Sequence, residues 1–197
     1  MAAVKKGMEP VVLLNMLNEN SKISRSHGIP REILQLQATS LGLPVITKPA
    51  SWEDYEGIFV ATLKDLRSEF RIDTAVFGDI DLQEHREWEE KVCATAGITA
   101  ELPLWKQDRK ELVLKMISEG IDAYVVSCNI TMGSNFIGRK ITPGVITELE
   151  SMGVDPCGEN GEYHTLVVNA PVFKERVVVK FGQPVKHQEY WFLEMSI

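Results

Sequence analysis

Short apolar runs alternate with segments of helical spacing, most of them closed by a glycine, and this rhythm holds from the N-terminal end to Gly153. Val11 to Leu14 reads as a buried strand. Pro30 opens a helix to Leu41, with Gly42 as its stop. Ser51 and Asp54 have the spacing of a capping box, and Tyr55, Ile58, Phe59, Leu63, Leu66 and Phe70 then recur on one helical face. Thr74 to Phe77 is a strand ending at Gly78-Asp79. Trp88, Val92, Cys93 and Ala96 stripe the next helix, which Gly97 ends. Another helix is expected between Asp108 and Glu119, then a strand from Ala123 to Ser127. Thr142-Pro143 opens a helix whose Val145, Ile146, Leu149 and Met152 face inward. Strand, helix, glycine and strand in repetition imply parallel crossovers, hence an α/β fold with a doubly wound parallel sheet and helices on both faces.

From His164 the pattern changes to strands alone, at Leu166 to Val168, Val177 to Phe181 and Tyr190 to Leu193, with turns at Pro171 and Pro184. A boundary is expected between Gly97 and Leu104, where Pro103 follows a terminated helix. The expectation is therefore an N-terminal domain over residues 1–100 and a smaller C-terminal α/β domain over 101–197.

With 197 residues and 44% hydrophobic side chains, the chain can build a core of its own. A net charge of −7 argues against nucleic acid, because a polyanion needs clustered Lys and Arg. No apolar run reaches the length of a membrane span, and the N-terminus lacks the apolar stretch of a signal peptide. Cys93, Cys128 and Cys157 form no C-x-x-C pair and leave one over from any disulfide, which points to a reducing cytoplasm.

Four stretches could carry chemistry. Gly158 to Phe173 reads G-E-N-G-E-Y-H-T-L-V-V-N-A-P-V-F, which displays Glu159, Asn160, Glu162, Tyr163, His164 and Thr165 at the start of a rigid strand. Gly158 and Gly161 bracket a turn able to approach a ligand closely or take positive φ, and the alternative is an ordinary turn with solvated acids. Phe77-Gly78-Asp79 lies at a strand tip, where open α/β sheets bind ligands. Asp79 there serves a ribose hydroxyl, a magnesium ion or an attacking amine, or else caps the helix that follows. Arg25-Ser26-His27-Gly28 precedes the Pro30 helix, with His27 in contact with a ligand or simply packed. Gly133 to Lys140, G-S-N-F-I-G-R-K, imitates a phosphate loop but has Arg139 in place of the lysine and Lys140 in place of the hydroxyl residue. Arg139 remains suited to clamping a carboxylate or phosphate, or is a basic loop residue. His85 and His187 have no zinc-ligand spacing.

G-E-N-G-E-Y-H-T followed by N-A-P-V-F resembles the G-E-[GD]-G-E-[YF]-x-T…[DN]-A-P-x-F signature of the diphthine-ammonia ligase family, the N-type ATP pyrophosphatases. G-D-I with E-H-R-E-W-E-E-K-V-C resembles the family's second motif, keeping Arg86 and Glu90 where many members have Y-Q-R-x-R-V-E. Pro103-Leu104-Trp105 resembles its P-L-W, with Trp105 expected to pack, and R-S-H-G resembles a bacterial form of it. The resemblance implies a Rossmann-like nucleotide-binding domain of the HUP type and an active site using ATP, with magnesium only as its companion, a carboxylate substrate and ammonia. It places Gly78, Asp79, His27 and Arg86 on the nucleotide side. Glu159 and Glu162 become catalytic candidates, to orient ammonia, accept its proton or pair with a cationic substrate. Asn160, Gly161, Tyr163, His164, Thr165 and Arg139 become substrate-side residues.

The match begins late, with Ala2 to Pro10 corresponding to the end of the family's first helix. The family's preceding S-G-G-K-D-S loop, which holds ATP phosphates at a helix N-terminus, has no counterpart in residues 1–197. The chain is therefore expected to be either a shortened form or a non-catalytic nucleotide- or metabolite-binding relative. A homo-oligomer by strand exchange is a third arrangement, since losing a central strand exposes its neighbours.

Overall fold

The computed structural model describes residues 1–197. In chain order the elements are α1 (Ala2–Lys5), β1 (Leu13–Leu17), α2 (Arg31–Leu41), β2 (Val45–Pro49), α3 (Tyr55–Phe70), β3 (Thr74–Val76), α4 (Gln83–Ala96) and β4 (Thr99–Glu101). There follow α5 (Arg109–Ser118), β5 (Asp122–Asn129), a short 3-10 turn (Ser134–Phe136), α6 (Pro143–Ser151), β6 (Tyr163–Asn169), β7 (Lys180–His187) and β8 (Tyr190–Ser196). They form two compact units, Met1–Ser21 with Leu43–Gln107, and Lys22–Gly42 with Asp108–Ile197.

In the first unit β1 runs parallel to β2, with Leu13 beside Val45 and Leu17 beside Pro49, and β3 runs parallel to β4, with Thr74 beside Thr99. The two pairs share no ladder of hydrogen bonds. A common core joins them instead. Met16, Ala50, Phe59, Leu63, Val92, Cys93, Ala96 and Ile98 are buried together, with Leu14, Ala75 and Phe77 packed against them. The helical stripes expected from spacing supply this core, and left-handed glycines end α2 and α4, Gly42 at φ +72° and Gly97 at φ +76°. The Ser51–Asp54 pair forms one turn early: the Ser51 hydroxyl donates to Asp54 at 2.9 Å and accepts its amide at 3.1 Å, and α3 begins only at Tyr55.

The second unit corrects the expected sheet. β5 does not continue a parallel array but lies in an antiparallel sheet of order β6-β5-β8-β7. Within it β7 and β8 are joined through Gln188 and Glu189 alone, a link too short for a parallel crossover, with Gln188 at φ +52°. Pro184, expected at a turn, sits inside β7 at an irregularity between Phe181 and Pro184. An edge strand tolerates that, because its outward backbone needs no ladder partner. α2 belongs to this unit although it precedes β2 in sequence. The Gln37 side-chain amide donates to the Val167 carbonyl at 2.8 Å, and the Lys174 amide donates to the Ser40 carbonyl at 2.7 Å. Asp108 caps α5 by accepting the Glu111 amide at 2.8 Å, and Thr142 caps α6 by accepting that of Val145 at 3.3 Å. No helix is long and apolar enough to cross a membrane.

Leu149 is fully buried on α6. Leu149→Ala is expected to cost about 2–5 kcal/mol in urea unfolding, and Thr142→Ala, which removes only a cap, about 1 kcal/mol. Equal losses would show that α6 is held by its terminus and not by its apolar face.

Candidate functional site

Asp155 organises the turn that carries the two glutamates. Its side chain is 5% exposed. Oδ1 accepts the Cys157 amide at 3.1 Å, while Oδ2 accepts both the Glu159 amide and the Arg109 guanidinium at 2.7 Å. The Glu162 carboxylate braces the same turn from the other end. One oxygen accepts the Asp155 amide at 3.4 Å and the Asn160 side-chain amide at 3.1 Å, and the other accepts the Asn160 backbone amide at 3.2 Å. The Tyr163 hydroxyl donates to the Pro156 carbonyl at 2.6 Å, and the Tyr190 hydroxyl to the Gly161 carbonyl at 3.0 Å. Gly158 is at φ +69°, and a Cβ there would lie 2.8 Å from the Tyr163 carbonyl oxygen. Only glycine fits.

Burial pushes the Tyr163 hydroxyl well above its ordinary range, with Cys157 and the surrounding acids adding to it. The Cys157 thiol is pushed up to about 12 by burial first and then by Asp155 and Glu159. It stays protonated and donates to the Arg109 carbonyl at 2.9 Å, so it is no nucleophile.

β6 carries the turn into the sheet, with Thr165 opposite Val125 and His164 opposite Ser127. The His27 ring lies on that of His164, centroids 4.7 Å apart and tilted by 45°. The segment bearing His27 closes on itself through the Ser24 amide to the Ile29 carbonyl at 2.8 Å and the Gly28 amide to the Ser24 carbonyl at 3.1 Å. Gly28 packs so closely on Phe192 that a Cβ would lie 2.8 Å from its ring. Burial, then the neighbouring His164, lowers the His27 pKa to about 4, and burial lowers that of His164. Both imidazoles are neutral at neutral pH. His27 thus stands in the second unit with the turn residues, not in the unit that holds Gly78 and Asp79.

In the first unit the Asp79 carboxylate meets His85 Nδ1 at 2.7 Å, and Gly78 has open space where a Cβ would be. Arg86 donates to Glu90 at 2.7 Å, and its guanidinium lies 5.0 Å from the centre of the Trp105 ring, which Lys106 also approaches at 4.9 Å. Trp105 packs under two cations. Arg139 in the second unit makes a two-pronged contact with Glu148, at 3.1 and 2.6 Å, and lies over Phe136. The G-S-N-F-I-G-R-K stretch is thereby a 3-10 turn with a paired arginine. No cluster of three or more His, Cys, Asp or Glu side chains is arranged to hold a metal ion.

Sequence reading missed Asp155 and Arg109. Asp155-Pro156 just ahead of Gly158 is a turn-forming pair that could have drawn attention. Arg109 had no local signal, since its partner lies 46 residues away.

Parallel strand–helix units in the first unit are consistent with a Rossmann-like fold, and the second unit adds an antiparallel sheet bearing an acidic turn; the class is a two-part α/β protein. A model of the diphthamide synthase N-terminal domain matches residues 1–100, and one of the diphthamide synthase C-terminal domain matches 109–197. The chain belongs to this diphthine-ammonia ligase family. It is 26% identical over 173 residues to a diphthine--ammonia ligase of Danio rerio, covering 85% of this chain and 67% of that protein. It is 24% identical over 209 residues to one of Schizosaccharomyces pombe, covering 95% of this chain but 34% of the relative. With one of Homo sapiens it shares 29% identity over 104 residues, half of this chain and 39% of that protein.

Because the unfolded chain binds a proton at His27 more tightly than the folded one, this group's stabilisation is complete above its ordinary pKa of 6.5 and is lost as pH falls through about 4. Urea unfolding is expected to show a loss of up to about 3 kcal/mol over that window, reduced in His27→Gln. A flat profile would mean that the ring is solvated. Gly158→Ala is expected to lower the melting temperature, and an unchanged value would show that the turn opens without cost.

Proposed function

We propose that the protein is an ATP-dependent amide-forming ligase of the diphthine-ammonia ligase type. A substrate carboxylate oxygen attacks the α-phosphorus of ATP, the bond to the β-phosphate oxygen breaks, and pyrophosphate leaves. The lone pair of ammonia then attacks the acyl carbon, AMP departs with the former carboxylate oxygen, and the surplus proton passes to a base. The observation that carries this reading is the braced acidic turn Gly158–Glu162 in a domain matched by the family's C-terminal model. Similarity to the diphthine--ammonia ligases of Danio rerio, Schizosaccharomyces pombe and Homo sapiens supports it.

In this reading Gly78, Asp79 and Arg86 line the nucleotide side, and Glu159 takes the ammonia proton. Asn160, Gly161, Tyr163, His164, Thr165 and Arg139 shape the substrate side. The substrate is a carboxylate whose remainder the residues leave open. Magnesium enters only with the ATP phosphates, neutralising their charge. Catalysis of this kind rests on positioning and electrostatics.

The second reading is a nucleotide- or metabolite-binding relative without turnover. Calorimetry with ATP and magnesium, on residues 1–197 and on the protein translated together with any coding sequence upstream of Met1, separates the two. Pyrophosphate release with ammonium and a panel of carboxylates is expected from the ligase, and Glu159→Gln should cut it roughly 10²–10⁴-fold without changing the fold. ATP binding without pyrophosphate release in either form favours the second reading. Absence of binding in both overturns the first.

A further inference from the structure

Asp79 stands between a strand tip and a helix, where a capping side chain would be expected, yet it does not cap α4: that helix starts from Leu82 with no side-chain acceptor. Its carboxylate meets His85 Nδ1 at 2.7 Å instead. A carboxylate can only accept, so the ring carries its hydrogen on Nδ1. Nε2, on the far side of the imidazole from Asp79, is then the atom the ring offers outward, on a side chain that is 58% exposed beside an Asp79 that is 25% exposed. A carboxylate behind one ring nitrogen is the arrangement that aims the other at a ligand. The frame behind the pair is fixed. The Phe77 amide donates to the Glu101 carbonyl at 2.9 Å and the Lys106 amide to the Ile80 carbonyl at 2.7 Å, while the Ile80 side chain is buried.

Gly78 supplies a second and independent sign. Its φ lies outside the left-handed region, so its own backbone does not require glycine. No protein atom stands within 4 Å of the place a Cβ would take, so packing does not require glycine either. That open space lies just past the carboxyl end of the parallel strand β3, where open α/β sheets receive ligands.

We propose that His85, aimed by Asp79, is the ligand-contacting side chain of this strand tip and takes a ribose hydroxyl seated in the space over Gly78. That the ribose belongs to ATP rests on the ligase reading; the hydroxyl does not. A hydroxyl both donates and accepts, so it satisfies Nε2 in the neutral and in the protonated ring. A phosphate in the same place would face the Asp79 charge. Asp79 is then a positioning residue that acts through His85.

Calorimetry with ATP and magnesium, set against 2′-deoxy-ATP and 3′-deoxy-ATP, tests this. The wild type is expected to bind ATP about five-fold more tightly than one of the two deoxy analogues. His85→Asn, which keeps a donor for Asp79 and loses Nε2, should lose that factor for ATP and the discrimination with it. His85→Gln, which keeps a polar atom near the place of Nε2, should retain more of both. Asp79→Ala should weaken ATP by a similar factor, and by nothing further in His85→Asn, while nitrogen NMR shows the His85 ring leaving its Nδ1-protonated form. Gly78→Ala should keep the melting temperature and weaken ATP about ten-fold. Equal affinity for the three nucleotides, unaltered discrimination in His85→Asn, or wild-type affinity in Gly78→Ala overturns the proposal, as does an ATP that does not bind. Pyrophosphate release decides the ligase reading separately. The expected binding pattern with no release from any carboxylate sinks that reading alone, whereas release by a His85→Asn protein of wild-type ATP affinity sinks this inference alone.

Discussion

The ion pair between Arg109 and the buried Asp155 is the contact through which the second unit turns secondary structure into a site. Its net contribution to stability is small or even unfavourable, since two charges must leave water, yet removing one partner leaves a buried charge costing about 3–5 kcal/mol. Such a pair selects a geometry more than it deepens the fold. Asp155 uses it to hold three donors at once, from α5, from Cys157 and from Glu159. With those donors in place, Gly158 can take its left-handed turn under the Tyr163 ring, and β6 starts in register with β5 at Tyr163 beside Cys128.

The first unit is organised on a different principle. Its four strands form two parallel pairs whose ladders do not meet, so cohesion between the pairs comes from side chains of α3 and α4 and not from main-chain hydrogen bonds. Phe59 touches Phe77 and Trp88, and Tyr55 stacks on Phe59, which makes the aromatic residues of α3 the bridge. Hydrophobic contact of this kind is non-directional and leaves the strand-tip loop Phe77–Asp81 to be shaped locally. It is shaped by Asp79 on His85 and by the Lys106 amide donating to the Ile80 carbonyl at 2.7 Å.

What was legible in the sequence divides along the range of the forces. Helical stripes, the Asp108 and Thr142 caps and the stops at Gly42 and Gly97 are local, and they could be read because backbone sterics and one-turn spacing decide them. Strand direction was not legible in the second unit. β5 looks like any buried strand, and its antiparallel partners β6 and β8 lie far along the chain, so no local turn signal beside β5 announces them. At the site, the turn itself stood out by its glycines and acids. Its wiring did not, because the Glu162 oxygens could as well have faced solvent, and because the His27–His164 contact and the Arg109–Asp155 pair join distant segments.

Charge sets a limit on what the acidic turn can do alone. Asp155, Glu159 and Glu162 lie together, Arg109 neutralises one of them, and Asp155 and Glu159 both raise the Cys157 pKa, a sign that their negative field is felt inside the turn. The two imidazoles in the same unit add no positive charge at neutral pH. A triphosphate brought to such a surface would be repelled, whereas an amine or ammonium would be drawn to it. A phosphate-bearing ligand needs cations that this turn does not offer, and in the first unit Arg86 and Lys106 over Trp105 are two such groups.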